Sequence, residues 1–94
     1  MKARTAAEAK KFQDLPNVGP RVANDFKKLG FAEPHELAGA DALVLYKKLC
    51  TLTKSRQDPC VLDVFLAVTD FMSGASPRPW WHYTPERKKR FGKL

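Results

Sequence analysis

Leu15 to Ala23 read LPNVGPRVA, and the residue types in that stretch could hold a phosphate. Gly19 has no side chain, so a partner can approach the backbone there. Pro20 suits the first position of a helix, where its missing N–H would be unpaired in any case. The N–H groups that open a helix have no partner within it, and the dipole adds partial positive charge at that end. A phosphate fits such a place, held by contacts that read the backbone and not the base. Arg21 adds a mobile full charge beside it. The other reading of the same residues is a joint whose Pro and Gly only shape a turn between packed helices.

A second loop, KSRQDP, carries Lys54 and Arg56. It has no Gly, so any anion contact must come from its side chains. Two readings stand side by side. Either Lys54 and Arg56 do at this loop what Arg21 does at the first, or Arg56 and Gln57 make structural hydrogen bonds to helix ends or to the tail. Cys60 follows Pro59 in a first helical turn, where a thiol pKa can fall. Burial as a small apolar group is the competing role. Cys50, Cys60, His35 and His82 are too scattered for a zinc site. Trp80, Trp81 and Tyr83 could stack on bases or fold the tail back over apolar surface. ERKKR after them is a basic end, solvated or resting on phosphates. No Ser/His/Asp set, Walker loop or carboxylate cluster is present, which argues against an enzyme.

The elements that would position these groups read as helices, without a convincing strand. Thr5 and Glu8 have capping-box spacing, which predicts a first helix over about Thr5–Asp14, ended by Pro16. Pro20 opens a second, with Val22, Phe26 and Leu29 on one face and Gly30 as its stop. Pro34 to Gly39 reads as a short third. Asp41 caps a fourth, on which Leu45, Leu49 and Leu52 align with Tyr46 alongside. Asp58 and Pro59 start the central helix. Val61, Val64, Phe65, Val68, Phe71 and Met72 form its broad apolar arc, Leu62 and Leu66 lie beside them, and Gly74 stops it. Asp63 and Asp70 mark its expected wet side. ASPRP is a Pro-rich linker, and Thr84–Pro85 could start one more short helix with Glu86 in its first turn and cations after it, an order that suits the dipole.

Composition narrows the partners. The 94 residues carry a net charge of +7 and 44% hydrophobic residues, enough for one small packed domain. Residues 77–94 hold six basic residues and one acidic, and residues 1–76 hold eleven and nine, so the tail carries most of the surplus. Such an excess favours an anionic partner. No apolar run reaches the ~20 residues of a membrane span. Two cysteines make no disulfide framework, and the start MKARTAAEAKKF lacks a signal peptide's apolar core. Those features predict a cytoplasmic protein with reduced thiols and no membrane partner.

LPNVGPRVA between two expected helices resembles the helix-hairpin-helix motif, Leu-Pro-Gly-hydrophobic-Gly-Pro/Lys-x-x-Ala. Leu15, Pro16, Val18, Gly19, Pro20 and Ala23 match it. Asn17 stands where the first Gly is usual, and Asn is the residue other than Gly that best tolerates a left-handed backbone. The resemblance implies that hairpin carbonyls, here those of Leu15 and Val18, sometimes hold a monovalent cation. From about Phe12 to Lys88 the chain is also similar to the small bacterial "pathogenicity locus" family, sometimes labelled mitomycin-resistance proteins. Arg56, Gln57, Asp58 and Cys60, the Val-x-x-Val-Phe after them and the pair Trp80–Trp81 carry that likeness.

The expectations are therefore an all-α chain of five or six short helices in a helix-hairpin-helix (SAM-like) domain over 1–76, with a Trp-rich basic tail over 77–94. The expected function is non-enzymatic, non-sequence-specific DNA binding by Pro16, Asn17, Val18, Gly19, Arg21, Lys54 and Arg56, with no cofactor and no metal. The alternative is a module that docks a protein partner in DNA metabolism.

Overall fold

Aspartate and proline start the helices of this chain. The Asp41 carboxylate accepts the Leu43 and Val44 N–H groups at 3.0 and 3.2 Å, and Asp58 accepts that of Cys60 at 2.8 Å. Pro20, Pro59 and Pro85 each take an early helical position where no N–H is needed. The computed structural model describes residues 2–92; Met1 of the expected domain, and Lys93 and Leu94 of the expected tail, lie outside the described residues. Four α-helices form: α1 (Pro20–Lys28), α2 (Ala42–Thr53), α3 (Pro59–Met72) and α4 (Thr84–Phe91). Four short 3-10 turns, at Ala6–Glu8, Phe12–Asp14, Pro34–Leu37 and Trp80–Tyr83, join and flank them. The described residues contain no strand.

α3 is the axis of the fold. Leu62, Phe65 and Val68 are fully enclosed, and α2, the Pro34–Leu37 turn, the Trp80–Tyr83 turn and α4 pack around them. Phe26 of α1 joins the core from the other side, its ring 5.3 Å from that of Phe65 and 5.4 Å from that of Phe12. Leu15 and Val18 of the LPNVGPRVA stretch lie in the same core.

Four expectations are corrected. The helix expected over Thr5–Asp14 is two 3-10 turns. Glu8 does turn back, but to the Arg4 N–H at 2.7 Å, and Thr5 makes no side-chain cap. Asp14 takes the Lys10 and Lys11 N–H groups at 3.0 and 2.9 Å, which tightens the second turn instead of letting a helix run through it. The stretch also lacks an apolar stripe, since Phe12 is its one buried side chain within the turns. Pro34–Leu37 likewise closes as a 3-10 turn, with Glu36 bonded back to the Ala32 and Glu33 N–H groups. Leu52, expected on the buried face of α2, is 50% exposed, and Thr51 beside it is exposed too.

The fourth correction concerns the expected wet side of α3. Asp63 is fully buried and paired with Arg87 of α4, whose Nε donates to Oδ1 at 2.9 Å; the Thr84 hydroxyl donates to Oδ2 at 2.7 Å. Arg87 is buried with it, so it is not part of a solvated basic end. The Asp63 carboxylate holds the Arg87 pKa above its ordinary value. Asp70 is exposed as expected, and it accepts the hydroxyl of buried Tyr83 at 2.9 Å. Burial and that bond push the Tyr83 hydroxyl up to about 12.

Candidate nucleic-acid interface

The LPNVGPRVA stretch turns at Asn17. Its φ is +70°, a left-handed conformation that Asn tolerates better than other side chains. Asn17 is also the clamp of the turn. Its Nδ2 donates to the Arg78 carbonyl at 2.7 Å, and its Oδ1 accepts the Trp80 N–H at 3.1 Å. A glycine there would supply the backbone conformation without either bond. The departure from the usual motif thus ties the turn to the segment before α4. The tolerance of Asn for a left-handed backbone gave a signal for the turn, and nothing local in the sequence pointed to Arg78 and Trp80 as its partners.

Gly19 caps α1 in an extended conformation, φ −98° and ψ −172°, so the backbone does not itself require glycine. A β-carbon built there would meet open space. What glycine provides is an uncovered approach to the helix start. No side chain caps α1, and its first intrahelical bond runs from the Ala23 N–H to the Gly19 carbonyl at 3.0 Å. The N–H groups of Arg21 and Val22 precede that bond and have no partner inside the helix.

The other expected residues divide by what they expose. Pro16 and Asn17 are half-buried, the Val18 side chain belongs to the core, and Gly19, Arg21, Lys54 and Arg56 are exposed. Arg21 Nη2 reaches Gln57 Oε1 at 3.4 Å, which brings the KSRQDP loop up to the start of α1. Gln57 holds that loop in place. Its Nε2 donates to Thr53 Oγ1 at 2.9 Å, and its carbonyl accepts the Tyr46 hydroxyl. Lys54 ends α2 in a left-handed conformation, φ +53°. Gln57 therefore does much of the structural work expected of Arg56 and Gln57, the Arg56 guanidinium lies close to the Tyr46 hydroxyl, and the Lys54 and Arg56 side chains are exposed.

The carbonyls expected to hold a monovalent cation are occupied from within the chain. The Lys2 ammonium donates to the Val18 carbonyl, and to that of Gln13 at 2.6 Å; the Leu15 carbonyl accepts the Val18 N–H at 3.2 Å. The Lys2 ammonium thus already places a positive charge at one of these carbonyls. Lys2 was not singled out in the sequence, and its place follows from the Ala3 N–H bonding the Asp14 carbonyl at 2.7 Å.

A cleft between the starts of α1 and α3 is lined by Arg21, Val22, Asp25, Asp58, Cys60 and Trp80, among others. Burial raises the Asp25 carboxyl above its ordinary value, and the nearby Arg21 opposes this. The Cys60 thiol is also raised, by desolvation first and then by the Asp58 carboxylate that caps α3. This direction is opposite to the lowered thiol pKa considered for a helix start, because desolvation and then the Asp58 carboxylate both disfavour the thiolate. Among the described residues no three His, Cys, Asp or Glu side chains come together as metal ligands. Among the described residues no helix is long and apolar enough to cross a membrane.

The aromatic residues after Pro79 are split. Tyr83 is buried and Trp80 half-buried, but Trp81 is 62% exposed, with its ring 5.6 Å from that of Trp80 and nearly perpendicular to it.

Sequence comparison places this geometry among known chains. The family described as "Pathogenicity locus" matches residues 5–89. The chain is 39% identical over 85 residues to "Mitomycin resistance protein McrB" of Streptomyces lavendulae, a match that spans 90% of this chain and 81% of that protein. No solved structure matches.

Proposed function

The chain belongs to the pathogenicity-locus family, and from that premise we propose that it binds DNA without sequence preference and without catalysis, through a helix-hairpin-helix phosphate contact at the start of α1. The observation that carries this reading is the open approach to Gly19 beside exposed Arg21, with Lys54 and Arg56 on the adjoining loop. The uncapped N–H groups supply partial charge, the three side chains supply full charge, and neither distinguishes bases. The hairpin is a shortened form, entered from the Phe12–Asp14 turn instead of a full helix. The +7 net charge adds attraction at longer range. The relative is named for mitomycin resistance; on this reading a shared resistance role would be exercised at nucleic acid.

The test is fluorescence anisotropy with a mixed-sequence duplex over a range of salt. Counterion release requires affinity to fall steeply as salt rises. Arg21→Ala is expected to weaken binding about equally on every sequence and to lower the salt slope by about one. Gly19→Val should remain folded, because φ is negative and the space is open, and should lose binding by covering the helix start. Lys88→Ala/Lys89→Ala/Arg90→Ala should keep a measurable part; Arg87 is left in place because it is a buried partner of Asp63. A folded Gly19→Val chain that binds like the parent would make the hairpin purely structural.

The second reading, docking of a DNA-processing protein, is favoured by Val44 and Leu52, 58% and 50% exposed on α2. It is tested by partner capture with a Val44→Ser/Leu52→Ser chain as the control.

A further inference from the structure

We propose that Trp81 is a stacking platform for an unpaired base, so that this face prefers a DNA strand with unpaired bases to continuous duplex. The inference rests on the phosphate reading of the hairpin and adds the form of the nucleic acid.

The position of Trp81 is determined from both sides. Asn17 bonds the Arg78 carbonyl and the Trp80 N–H, which joins the start of the Trp80–Tyr83 turn to the hairpin. At the other end Tyr83 is buried with its hydroxyl on Asp70, and Thr84 bonds Asp63. Trp81 lies between these anchors, in a turn with little freedom to fold it away. Trp80 lines the same cleft as Arg21 and Val22, so the aromatic pair stands next to the start of α1.

The ring is nonetheless left in solvent. Of the large apolar side chains that are exposed among the described residues, Trp81 is the most exposed. The interplanar angle of 85° means that Trp80 and Trp81 meet edge to face, so Trp80 does not stack flat on the Trp81 ring, and the 62% exposure leaves much of that indole open to solvent. Two exposed cations lie near the turn: Arg78, whose Nη1 is 3.0 Å from His82 Nε2, and Arg21, which lines the cleft with Trp80 together with the carboxylates of Asp25 and Asp58. An open aromatic face held in a turn flanked by Arg78 and Arg21 fits a polyanion that also presents flat apolar rings. Single-stranded DNA has both, whereas duplex DNA hides its base faces in the stack. Stacking on an aromatic side chain needs no particular base, consistent with a contact that lacks sequence preference.

The experiment compares a fluorescein-labelled oligo(dT) 15-mer with a 15-base-pair duplex, both at low salt, on the parent, Trp81→Ala, Trp81→Phe and Arg21→Ala, each first shown folded by circular dichroism. The expected result is tighter binding of oligo(dT) than of duplex by the parent. Trp81→Ala should lose about 5- to 150-fold on oligo(dT), the range that one stacked base supports. It should change duplex binding by less than about twofold, and Trp81→Phe should recover most of the loss. If Trp81→Ala leaves oligo(dT) binding unchanged, or weakens both probes alike, the stacking proposal is overturned, and an Arg21→Ala loss on both probes would show that the phosphate reading survives it. If the parent binds neither probe, both ideas fail. If polyglutamate binds as tightly as oligo(dT) and Trp81→Ala weakens both equally, the face takes an acidic protein and the proposal is overturned.

Discussion

Asp63 and Asn17 show how much of this molecule turns on single polar side chains. Asp63 gives its two oxygens to Arg87 and Thr84 inside the protein. Removing one member of a buried ion pair leaves the other charged without a partner, which costs about 3–5 kcal/mol. Against the ~5–15 kcal/mol total of a small domain, that is a large share. Asp63→Ala is therefore expected to melt well below the parent in thermal circular dichroism. Asp63→Leu/Arg87→Met, which removes both charges and keeps apolar volume, should recover much of the loss. A single variant as stable as the parent would show that the pair adds nothing. Asn17 has a different part, since it sets the backbone of a turn and also bonds a segment more than sixty residues away.

At the scale of elements, carboxylates govern where turns and helices begin. Asp14, Glu36 and Asp58 each accept backbone N–H groups, and those bonds hold their pKa values below the ordinary carboxylate range. Each is ionised more readily in the folded chain than in the unfolded one. Their stabilisation is therefore complete above the unfolded value of about 4 and is lost as pH falls through the lowered folded values. The melting temperature should be level between about pH 7 and pH 5 on this account, then fall below about pH 4. Asp58→Asn keeps a capping oxygen that does not titrate. It should show a smaller acid loss than the parent, measured as melting temperature against pH. An equal loss would place the acid sensitivity elsewhere. The same bonds explain why Thr5–Asp14 is not a helix, for Glu8 and Asp14 each close a short turn of their own.

The whole molecule depends on its C-terminal segment. α3 packs on its far side against the Trp80–Tyr83 turn and α4, and Asp63 and Asp70 face partners there. A chain ending at residue 76 would expose that side of α3 and leave the Asp63 carboxylate without Arg87. It is expected to melt at a much lower temperature than the full chain, or to show no cooperative transition. An unchanged transition would mean that residues 77–92 are an appendage. The segment also carries most of the surplus charge, so its packing brings Arg78 and Trp81 next to the hairpin while Lys88, Lys89 and Arg90 stay exposed.

The sequence by itself determined the all-helical class, the starts of α1, α2 and α3, and the left-handed turn at Asn17. These depend on residues within a few positions of each other: Pro20, Asp41, Asp58 with Pro59, and the tolerance of Asn for positive φ. It also marked Val64, Phe65, Val68 and Phe71 as core, because a wide apolar arc has one place to go. Tertiary structure decided the burial of Asp63, the occupation of the Val18 carbonyl by Lys2 and the meeting of Arg21 with Gln57. It also decided the exposure of Trp81 beside buried Tyr83. Each of these is set by a group at least sixteen residues away, or by which face of a short turn meets α3. A polar residue on an apolar helix reads as its wet side until a cation from another helix is brought against it. Local pattern records what a residue can do, and the pairing that selects one use exists only after the chain has packed.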